Sequence, residues 1–308
     1  MATLKELASK EEKLAGGHTS CAGCGYPSII RLIMQAAKYP LVIGSATGCL
    51  EVNTTIFPYT SWKVPFIHCA FENSAATVSG VEAAYRSLVR QEKLPETNIK
   101  FIAFGGDGGT YDIGLQSLSG AMERGHEMLY VCYDNGAYMN TGIQRSGATP
   151  KYANTTTAPA GKVKQGKEQF RKDLTAILVA HGIPYIGQAI GGNWKDLTNK
   201  IEKAMEIKGP KFLNVLSTCP LGWGTNSEDT VMLTQLATET CFWPLFEVEN
   251  GVYKLTYKPK TKKPIVEWLK LQTRFKHLFK PGNEALIEEV QQDVDIRWNK
   301  LLKLCGEI

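Results

Sequence analysis

The amino-acid sequence predicts an α/β protein built around a mainly parallel β-sheet with helices on both faces. Short apolar segments alternate with longer amphipathic segments, which is the pattern of β-strands joined by crossover helices. Three of the five apolar segments also end in small or polar residues, as expected where a parallel sheet binds a ligand at the carboxyl ends of its strands. The predicted strands span residues 41–45, 100–104, 128–133, 184–189 and 211–217.

Five helices are predicted between and around these strands. In the first, Ile29, Ile30, Ile33 and Met34 recur at spacings of three and four residues, which places them on one helix face. The predicted helices span residues 27–38, 74–91, 112–124, 175–181 and 195–207. The segment 142–169 is rich in Gly, Thr, Ala, Lys and Pro and has no periodicity, so it is predicted to be a long loop, either functional or disordered.

We predict three regions along the chain. Residues 1–15 are an N-terminal extension, and residues 16–243 hold all the predicted strands and form the main domain. Residues 244–308 are predicted to be a C-terminal arm that ends in a helix near residues 283–304.

The composition is that of an ordinary globular protein. The chain has 308 residues, of which 43% are hydrophobic and 21% charged, and its formal net charge is +5. The one dense basic segment, 257–263, is interpreted as a solvated loop, so we expect no nucleic-acid partner. No apolar run is long enough to span a bilayer and no secretory signal is recognised, so we expect no membrane partner and a cytoplasmic location.

Four of the eight cysteines are placed where they could share one metal centre. Cys21 and Cys24 are separated by two residues in a glycine-flanked turn, so both thiolates can reach the same metal. Cys49 and Cys219 each follow a predicted strand, and strand ends from distant parts of a sheet can meet at one edge. The four are therefore candidate ligands of one iron–sulfur cluster.

The spacing by itself leaves other interpretations open. The Cys-x-x-Cys pair could be half of a zinc site, a redox-active disulfide or two unrelated packing residues. A four-cysteine zinc site usually has a second such pair, which the sequence lacks, and no long strand precedes Cys21 as in a thioredoxin-like motif. The other cysteines have apolar or amphipathic neighbours and are predicted to be packing residues: Cys69, Cys132, Cys241 and Cys305.

A glycine-rich turn around Asp107 suggests a site for a diphosphate and its metal. The sequence Gly-Gly-Asp-Gly-Gly at residues 105–109 directly follows a predicted strand, and glycines let the backbone approach a phosphate closely. Asn135 follows the next strand 28 residues after Asp107, and carboxylate and amide oxygens are ligands that Mg²⁺ accepts. A Gly-Asp-Gly turn alone is common, but strand, Gly-Asp-Gly, helix, strand and Asn in this order is typical of thiamine-diphosphate enzymes.

Together these motifs resemble the β subunit of pyruvate:ferredoxin oxidoreductase (pyruvate synthase), in the 2-oxoacid:ferredoxin oxidoreductase family. The resemblance extends over nearly the whole chain, to about Pro244. The stretches that carry it are 17–25, 46–51, 57–62, His68, 70–73, 105–126 and 134–142.

The resemblance implies a fold and a set of site residues. The fold is the doubly wound thiamine-diphosphate-binding fold, with a partner chain supplying the glutamate on the aminopyrimidine side. The implied [4Fe–4S] ligands are Cys21, Cys24, Cys49 and Cys219. The implied Mg²⁺ ligands are Asp107, Asn135 and the carbonyl of Ala137. The implied cofactor contacts are Thr47, Gly48, Gly106, Asp107, Gly108, Asn135, Ala137, Met139 and Asn140, with Asn140 as the catalytic residue close to the reacting carbon.

The resemblance also implies an activity and partners. The chain would be the β subunit of an enzyme that oxidatively decarboxylates a 2-oxoacid, most simply pyruvate, to acetyl-coenzyme A, CO₂ and reduced ferredoxin. It would work only in a complex with an α-type subunit, a γ subunit and a two-cluster ferredoxin-like subunit. Alternatives are oxalate, which would need no coenzyme A, another 2-oxoacid, or a non-catalytic iron–sulfur or zinc scaffold.

Two departures from the family pattern put details in doubt. Some relatives have Glu where this chain has Tyr26, so a cofactor contact made by that Glu is not expected here. The segment after Asp134 varies among relatives and faces the substrate in the family, so the sequence does not identify the oxoacid.

Overall fold

The computed structural model describes residues 3–308 and has an eight-stranded sheet at its centre. Its strands are β1 Leu41–Ala46, β2 Phe66–Cys69, β3 Lys100–Gly106, β4 Met128–Asp134, β5 Tyr185–Ile190, β6 Lys211–Leu216, β7 Phe246–Glu249 and β8 Val252–Leu255. They lie in the order β2-β1-β3-β4-β6-β5-β7-β8. Strands β1 to β6 are parallel to one another, β7 pairs antiparallel with β5, and β8 pairs antiparallel with β7. The predicted mainly parallel sheet is confirmed.

Helices cover both faces of the sheet. They are α1 Leu4–Ala8, α2 Tyr26–Ala36, α3 Cys49–Thr54, α4 Ser74–Arg90, α5 Leu115–Glu123, α6 Leu174–Val179, α7 Trp194–Glu206, α8 Pro220–Trp223, α9 Thr230–Glu239, α10 Val266–Leu269 and α11 Glu284–Leu304. Helices α2 and α7 pack together on one face, and α4 and α5 pack together on the other. Among residues 3–308, no helix combines the length and the apolar character that crossing a bilayer requires.

The sequence pattern explains the central elements. All seven residues of β4 are buried, as expected for a parallel strand covered by helices on both faces. In α2, Ile29, Ile30 and Ile33 are buried on the face that meets the sheet, and Pro27 in the first turn occupies a position that needs no backbone donor. Helix α7 begins where the Asn193 side chain accepts a hydrogen bond from the backbone N–H of Asp196, at 3.1 Å.

All five predicted strands are present, and three strands were not predicted. Strand β2 has only four residues, and most of it is not buried, so it carries no long apolar run. The predicted helix 112–124 is divided into a π-helix at Gly108–Ile113 and α5, which begins at Leu115. A Cβ atom at Gly114 would lie 2.0 Å from the carbonyl oxygen of Gly109, so the junction between the π-helix and α5 requires glycine at this position. π-Helical turns of this kind are frequent at functional sites.

The predicted long loop at 142–169 contains no helix or strand, and it is buried in part: residues 146–153 are mostly buried, whereas residues 161–164 are exposed. The buried Lys167 donates hydrogen bonds to the carbonyls of Gly147, at 3.1 Å, and Thr149, at 2.6 Å. Burial lowers the pKa of this lysine to about 8, with a further contribution from Arg145. The backbone N–H of Asn154 also donates to the carbonyl of Arg274 at 2.9 Å, which ties the loop to the C-terminal region.

The C-terminal region is joined to the sheet. Strand β7 pairs with β5, and the two-residue turn Asn250-Gly251, where both residues have positive φ, returns the chain into β8. At the other end of the chain, Leu7 and Leu14 are buried, and Lys13 donates to the carbonyl of Ala37 at 3.0 Å. Residues 1 and 2 of the predicted extension lie outside the described residues. The division at 15/16 and 243/244 stays a prediction.

A buried ion pair holds the end of β4. The guanidinium of Arg171 donates to Asp134 Oδ2 at 2.6 Å, and the hydroxyl of Tyr111 donates to the same oxygen at 2.6 Å. Burial lowers the pKa of the Arg171 guanidinium, but the interactions with Tyr111 and Asp134 are stronger than this effect of burial. The pKa is therefore raised overall. The backbone N–H of Gly136 donates to Asp134 Oδ1 at 3.0 Å, so this carboxylate shapes the turn that follows the strand.

We expect Arg171→Met to lower the free energy of unfolding by about 3–5 kcal/mol, because it leaves the Asp134 carboxylate buried without its cation. Denaturant titration of the full chain measures this change. Arg31→Met is the matched control, since Arg31 and Glu12 form an exposed pair and its loss should cost at most about 1 kcal/mol. Equal losses in the two variants would contradict the importance given to the buried pair.

Candidate functional site

A cavity opens at the carboxyl ends of β1, β3 and β4. The strand order runs from β1 to β2 in one direction and from β1 to β3 and β4 in the other, so the cavity lies at the point where open α/β sheets bind ligands. The residues predicted as cofactor contacts all line it: Thr47, Gly48, Gly106, Asp107, Gly108, Asn135, Ala137, Met139 and Asn140. The structure thus brings these residues together, while the role of each stays a prediction.

Three oxygen atoms converge on the floor of the cavity. The side-chain oxygen of Asn135 lies 2.9 Å from Asp107 Oδ1 and 2.9 Å from the carbonyl oxygen of Ala137, with no donor between them. In an octahedral site with Mg–O distances of about 2.0–2.1 Å, neighbouring ligands are about 2.9 Å apart. The donor set therefore fits a magnesium ion as it stands. Without a cation, the side-chain amide of Asn135 would have to rotate by half a turn, so that its nitrogen donates to Asp107 Oδ1 and to the carbonyl oxygen of Ala137.

Asp107 is almost fully buried and is held on both sides. Its Oδ1 accepts the backbone N–H of Asn135 at 3.2 Å, and its Oδ2 accepts the hydroxyl of Ser146 at 2.5 Å. Burial and the neighbouring Asp134 raise the pKa of this carboxyl to about 8. A carboxylate in such a place is stabilised by a cation, which agrees with the oxygen geometry.

Asn135 is fixed through its own carbonyl by a side chain from the end of α8. The indole N–H of Trp223 donates to the carbonyl of Asn135 at 2.7 Å. The guanidinium of Arg274, from the C-terminal region, lies 4.3 Å from the centre of the Trp223 ring. Burial lowers the pKa of Arg274 to about 9, although Cys219 and Asp134 favour its charge. Residues far apart in sequence therefore support one ligand of the candidate metal site.

Glycines of the turn at 105–109 are required by close contacts. A side chain at Gly108 would lie 2.3 Å from the ring of Tyr138, whose hydroxyl donates to the carbonyl of Gly108 at 2.8 Å. A side chain at Gly109 would lie 2.8 Å from the carbonyl of Phe71. The turn thus lets three segments of the chain meet at the cavity without side chains between them.

Thr47 is held at the cavity wall by two partners. Its hydroxyl donates to the carbonyl of Cys69 at 2.9 Å and lies 3.0 Å from Nε2 of His68. The other ring nitrogen of His68 lies 3.3 Å from a carboxylate oxygen of Glu51. Strands β1 and β2 are paired side by side, which brings Thr47 and His68 together.

The four candidate cluster ligands lie near enough to one another to interact electrostatically. Burial, with smaller contributions from cysteines of the same group, raises the pKa of the Cys24 and Cys49 thiols to about 12. Burial also raises the pKa of Cys219, and the neighbouring Cys21 adds to this effect. Thiols with such pKa values lose their protons when they bind a metal. Within residues 3–308, no three His, Cys, Asp or Glu side chains are arranged around one point as ligands of a single metal ion.

Local geometry explains how the cysteines meet. In the Cys-x-x-Cys turn, Gly23 has φ of +72°, and a side chain there would lie 2.3 Å from the carbonyl oxygen of Ser227. The N–H of Gly25 donates to the carbonyl of Thr218 at 3.1 Å, which places the turn beside Cys219. The hydroxyls of Ser217 and Thr218 are buried without a hydrogen-bond partner. Buried hydroxyl groups without partners, next to a group of thiols, fit a site in which sulfur atoms would accept their hydrogen bonds.

The other cysteines differ in burial. Cys69, Cys132 and Cys241 are buried in the core, as predicted, whereas Cys305 at the end of α11 is only partly buried.

Sequence reasoning missed several residues that line the cavity or hold its ligands. Those lining it are Phe71, Gly109, Tyr133, Tyr138 and Thr141, and Ser146 contacts Asp107 from behind. Tyr133 could have been found, because it precedes Asn135 by two residues and strand alternation directs the two side chains to the same side. Ser146 and Arg274 lie in segments without a pattern, so no sequence signal marks them.

Comparisons with known proteins give a matching family profile and close relatives. The family profile described as "Thiamine pyrophosphate enzyme, C-terminal TPP binding domain" matches residues 43–215, from β1 to β6. The pyruvate synthase subunit PorB of Thermotoga maritima is 52% identical over 305 residues, covering 97% of this chain and 94% of that protein. The ketoisovalerate oxidoreductase subunit VorB of Pyrococcus abyssi is 41% identical over 296 residues, covering 96% of this chain and 94% of that protein.

A solved structure has a similar fold. The 2-oxoglutarate:ferredoxin oxidoreductase from Magnetococcus marinus, with 2-oxoglutarate, coenzyme A and succinyl-CoA bound, matches with a TM-score of 0.57 and 25% sequence identity. The match covers 73% of this chain and 72% of that one. From the length and identity of these matches, the chain belongs to the family of thiamine-diphosphate-binding β subunits of 2-oxoacid oxidoreductases that PorB represents.

Proposed function

We propose that this chain is the thiamine-diphosphate, Mg²⁺ and [4Fe–4S] subunit of a pyruvate:ferredoxin oxidoreductase. The observation that carries the proposal is that Cys49 belongs to both sites. It lines the cavity next to Thr47 and Gly48, and it is one of the four associated cysteines. A cofactor bound in this cavity would therefore lie directly beside an electron acceptor.

The residues of the cavity floor would hold the cofactor by its diphosphate. Asp107, Asn135 and the carbonyl of Ala137 would bind Mg²⁺, and the metal would bridge them to phosphate oxygens. Gly106 and Gly108, without side chains, leave the backbone open to the phosphates. The hydroxyl of Ser146 and the N–H of Asn135 keep the Asp107 carboxylate oriented toward the metal.

The four cysteines would hold the iron–sulfur cluster, and thiamine diphosphate and the cluster would supply different parts of the reaction. When bound, thiamine diphosphate supplies the carbanion chemistry that removes CO₂ from a 2-oxoacid, and the cluster accepts the electrons one at a time. This chain contributes the positions of the ligands: Cys24, Cys49 and Cys219 are partly buried, and Cys21 is exposed. The electron would leave toward the exposed side, where a partner subunit can approach.

Pyruvate is the substrate that the relatives favour. The chain is 52% identical to a pyruvate synthase subunit and 41% identical to a ketoisovalerate oxidoreductase subunit. Coenzyme A would be the acyl acceptor, as the ligands of the 2-oxoglutarate:ferredoxin oxidoreductase suggest. A branched-chain oxoacid is the second candidate because of the VorB relative, whereas oxalate has no support from the relatives named here.

The rim of the cavity is open. Asn140 and Thr141 line it and are exposed, although Asn140 is the residue proposed to act near the reacting carbon. An α-type subunit, together with γ and a two-cluster ferredoxin-like subunit, would cover this rim and add the aminopyrimidine-side glutamate and the path to ferredoxin. The residues of the rim would then be shielded from water.

Asp107→Ala should abolish binding of thiamine diphosphate with Mg²⁺, because the phosphates would then face the protein without a bridging cation. Asn135→Ala should weaken binding less, since a water molecule can replace one neutral ligand. Isothermal titration calorimetry measures both, with Asp295→Ala in α11 as the control, because this side chain is 45% exposed. Wild-type affinity in Asp107→Ala would refute its assignment as a metal ligand.

Replacing Cys21, Cys24, Cys49 or Cys219 by Ser should remove most of the about four irons and four sulfides expected per chain after anaerobic purification. Iron, sulfide and zinc analysis measures the content of each variant. Cys305→Ser is the control, because this residue lies at the end of α11 away from the other four. One equivalent of zinc without iron in the wild-type chain would overturn the cluster assignment.

The chain alone should not reduce ferredoxin with any 2-oxoacid, because its cavity is uncovered and it lacks the motifs of further clusters. Addition of the α-type and two-cluster subunits should restore activity, highest with pyruvate in a panel of 2-oxoacids assayed with and without coenzyme A. Residues 142–169, which border the cavity, should gain protection from protease in the complex. Full turnover by the isolated chain would contradict the proposed division of labour.

A further inference from the structure

The phenol of Tyr133 is buried at the cavity and has no acceptor for its proton. Tyr133 is 2% exposed and lines the cavity, and its hydroxyl has no hydrogen-bond partner that satisfies normal geometry. The backbone N–H of Leu50 faces the hydroxyl oxygen, but an N–H can only donate, so the phenolic proton itself stays unpaired. A buried donor without an acceptor is costly, and in native proteins it usually marks a missing ligand or water.

The hydroxyl lies in a gap formed by two glycines. A Cβ atom added to Gly48 would lie 3.0 Å from the hydroxyl oxygen, and a Cβ atom added to Gly106 would lie 3.5 Å from it. Larger residues at either position would crowd the hydroxyl and close the gap toward the cavity. A phenol is protonated at neutral pH, so the hydroxyl is available as a donor.

The position of Tyr133 indicates which part of a ligand it would meet. Tyr133 is paired in register with Gly106, which directly precedes Asp107, and Asn135 follows two residues later. The hydroxyl therefore lies at the end of the cavity that holds the candidate metal ligands. In thiamine diphosphate, the anionic oxygens belong to the diphosphate, which must approach these ligands for the metal to bridge it.

We propose that the hydroxyl of Tyr133 donates a hydrogen bond to a diphosphate oxygen of the bound cofactor. This inference rests on the proposed function, because it requires thiamine diphosphate in this cavity. Tyr133 would then be a binding residue that contacts the diphosphate of the cofactor. Its ring also packs 5.8 Å from the ring of Tyr26, whose hydroxyl donates to the carbonyl of the cluster ligand Cys49 at 3.1 Å. One aromatic pair thus separates the diphosphate end of the cavity from the cysteines.

The test is Tyr133→Phe, which deletes the hydroxyl and keeps the ring. The full chain is purified anaerobically with its accompanying subunits and depleted of cofactor by dialysis against a chelator. Calorimetry with thiamine diphosphate and MgCl₂ should show affinity lowered on the order of ten- to hundred-fold, as for a buried hydrogen bond to a charged group. Iron content should be unchanged.

Thermal unfolding separates cofactor binding from a structural role. Without cofactor, Tyr133→Phe should melt at the wild-type temperature or higher, because it removes an unpaired buried donor. With saturating thiamine diphosphate and Mg²⁺, its melting temperature should rise less than that of the wild type at the same cofactor concentration. Tyr185→Phe is the matched control: it deletes a buried hydroxyl that donates to Glu247 at 2.9 Å, so it should melt lower but bind the cofactor normally.

Wild-type cofactor affinity in Tyr133→Phe would overturn the inference and leave the proposed function intact, and would mean that a water molecule satisfies the hydroxyl. Reduced stability without cofactor, with unchanged affinity, would show a structural role and would overturn it too. If the wild-type complex itself bound no thiamine diphosphate with Mg²⁺, the proposed function would fail together with the inference.

Discussion

Two carboxylates, Asp107 and Asp134, are buried at the ends of adjacent strands, and much of the surrounding structure compensates their charge. Asp134 is paired with Arg171 at 2.6 Å, and this residue belongs to the segment that leads into α6. Arg274 brings a second buried guanidinium from the C-terminal region, near both carboxylates. Asp107 lacks a direct cationic partner among the residues described, and its Oδ1 faces the side-chain oxygen of Asn135 instead. Of the two carboxylates, the one without a cationic side-chain partner is therefore the one that lines the cavity.

The parallel sheet makes this arrangement possible. Strands β1, β3, β4 and β6 run in the same direction, so the residues that follow them emerge at one edge: Thr47, Asp107, Asn135 and Cys219. Helix α8 also connects the two parts of the site, because Cys219 caps its start and Trp223 at its end donates to the carbonyl of Asn135. A disturbance at the cysteines could therefore reach the candidate metal ligands through this short helix as well as through Cys49, which lines the cavity itself.

The parts of the structure that follow local patterns could be predicted from sequence. The five long strands have continuous apolar runs, and Asp107 and Asn135 follow two of them, so the strand-end rule placed both at one edge. Ser146 and Arg274 could not be found in this way, because they reach the site through tertiary packing and their own segments carry no periodicity. The π-helix after Asp107 was missed because its register depends on contacts between glycine and backbone rather than on side-chain hydrophobicity. Strand β7 was missed because four residues are too few to form a pattern.

The position of Arg274 has a consequence for the order in which the molecule matures during synthesis. This residue stacks on Trp223 beneath Asn135, but it is translated 139 positions after Asn135. Until the chain has been made as far as Arg274, Trp223 lacks the guanidinium that lies over its ring. The support behind the carboxyl end of β4 is therefore completed late in synthesis, after all the strands of the sheet.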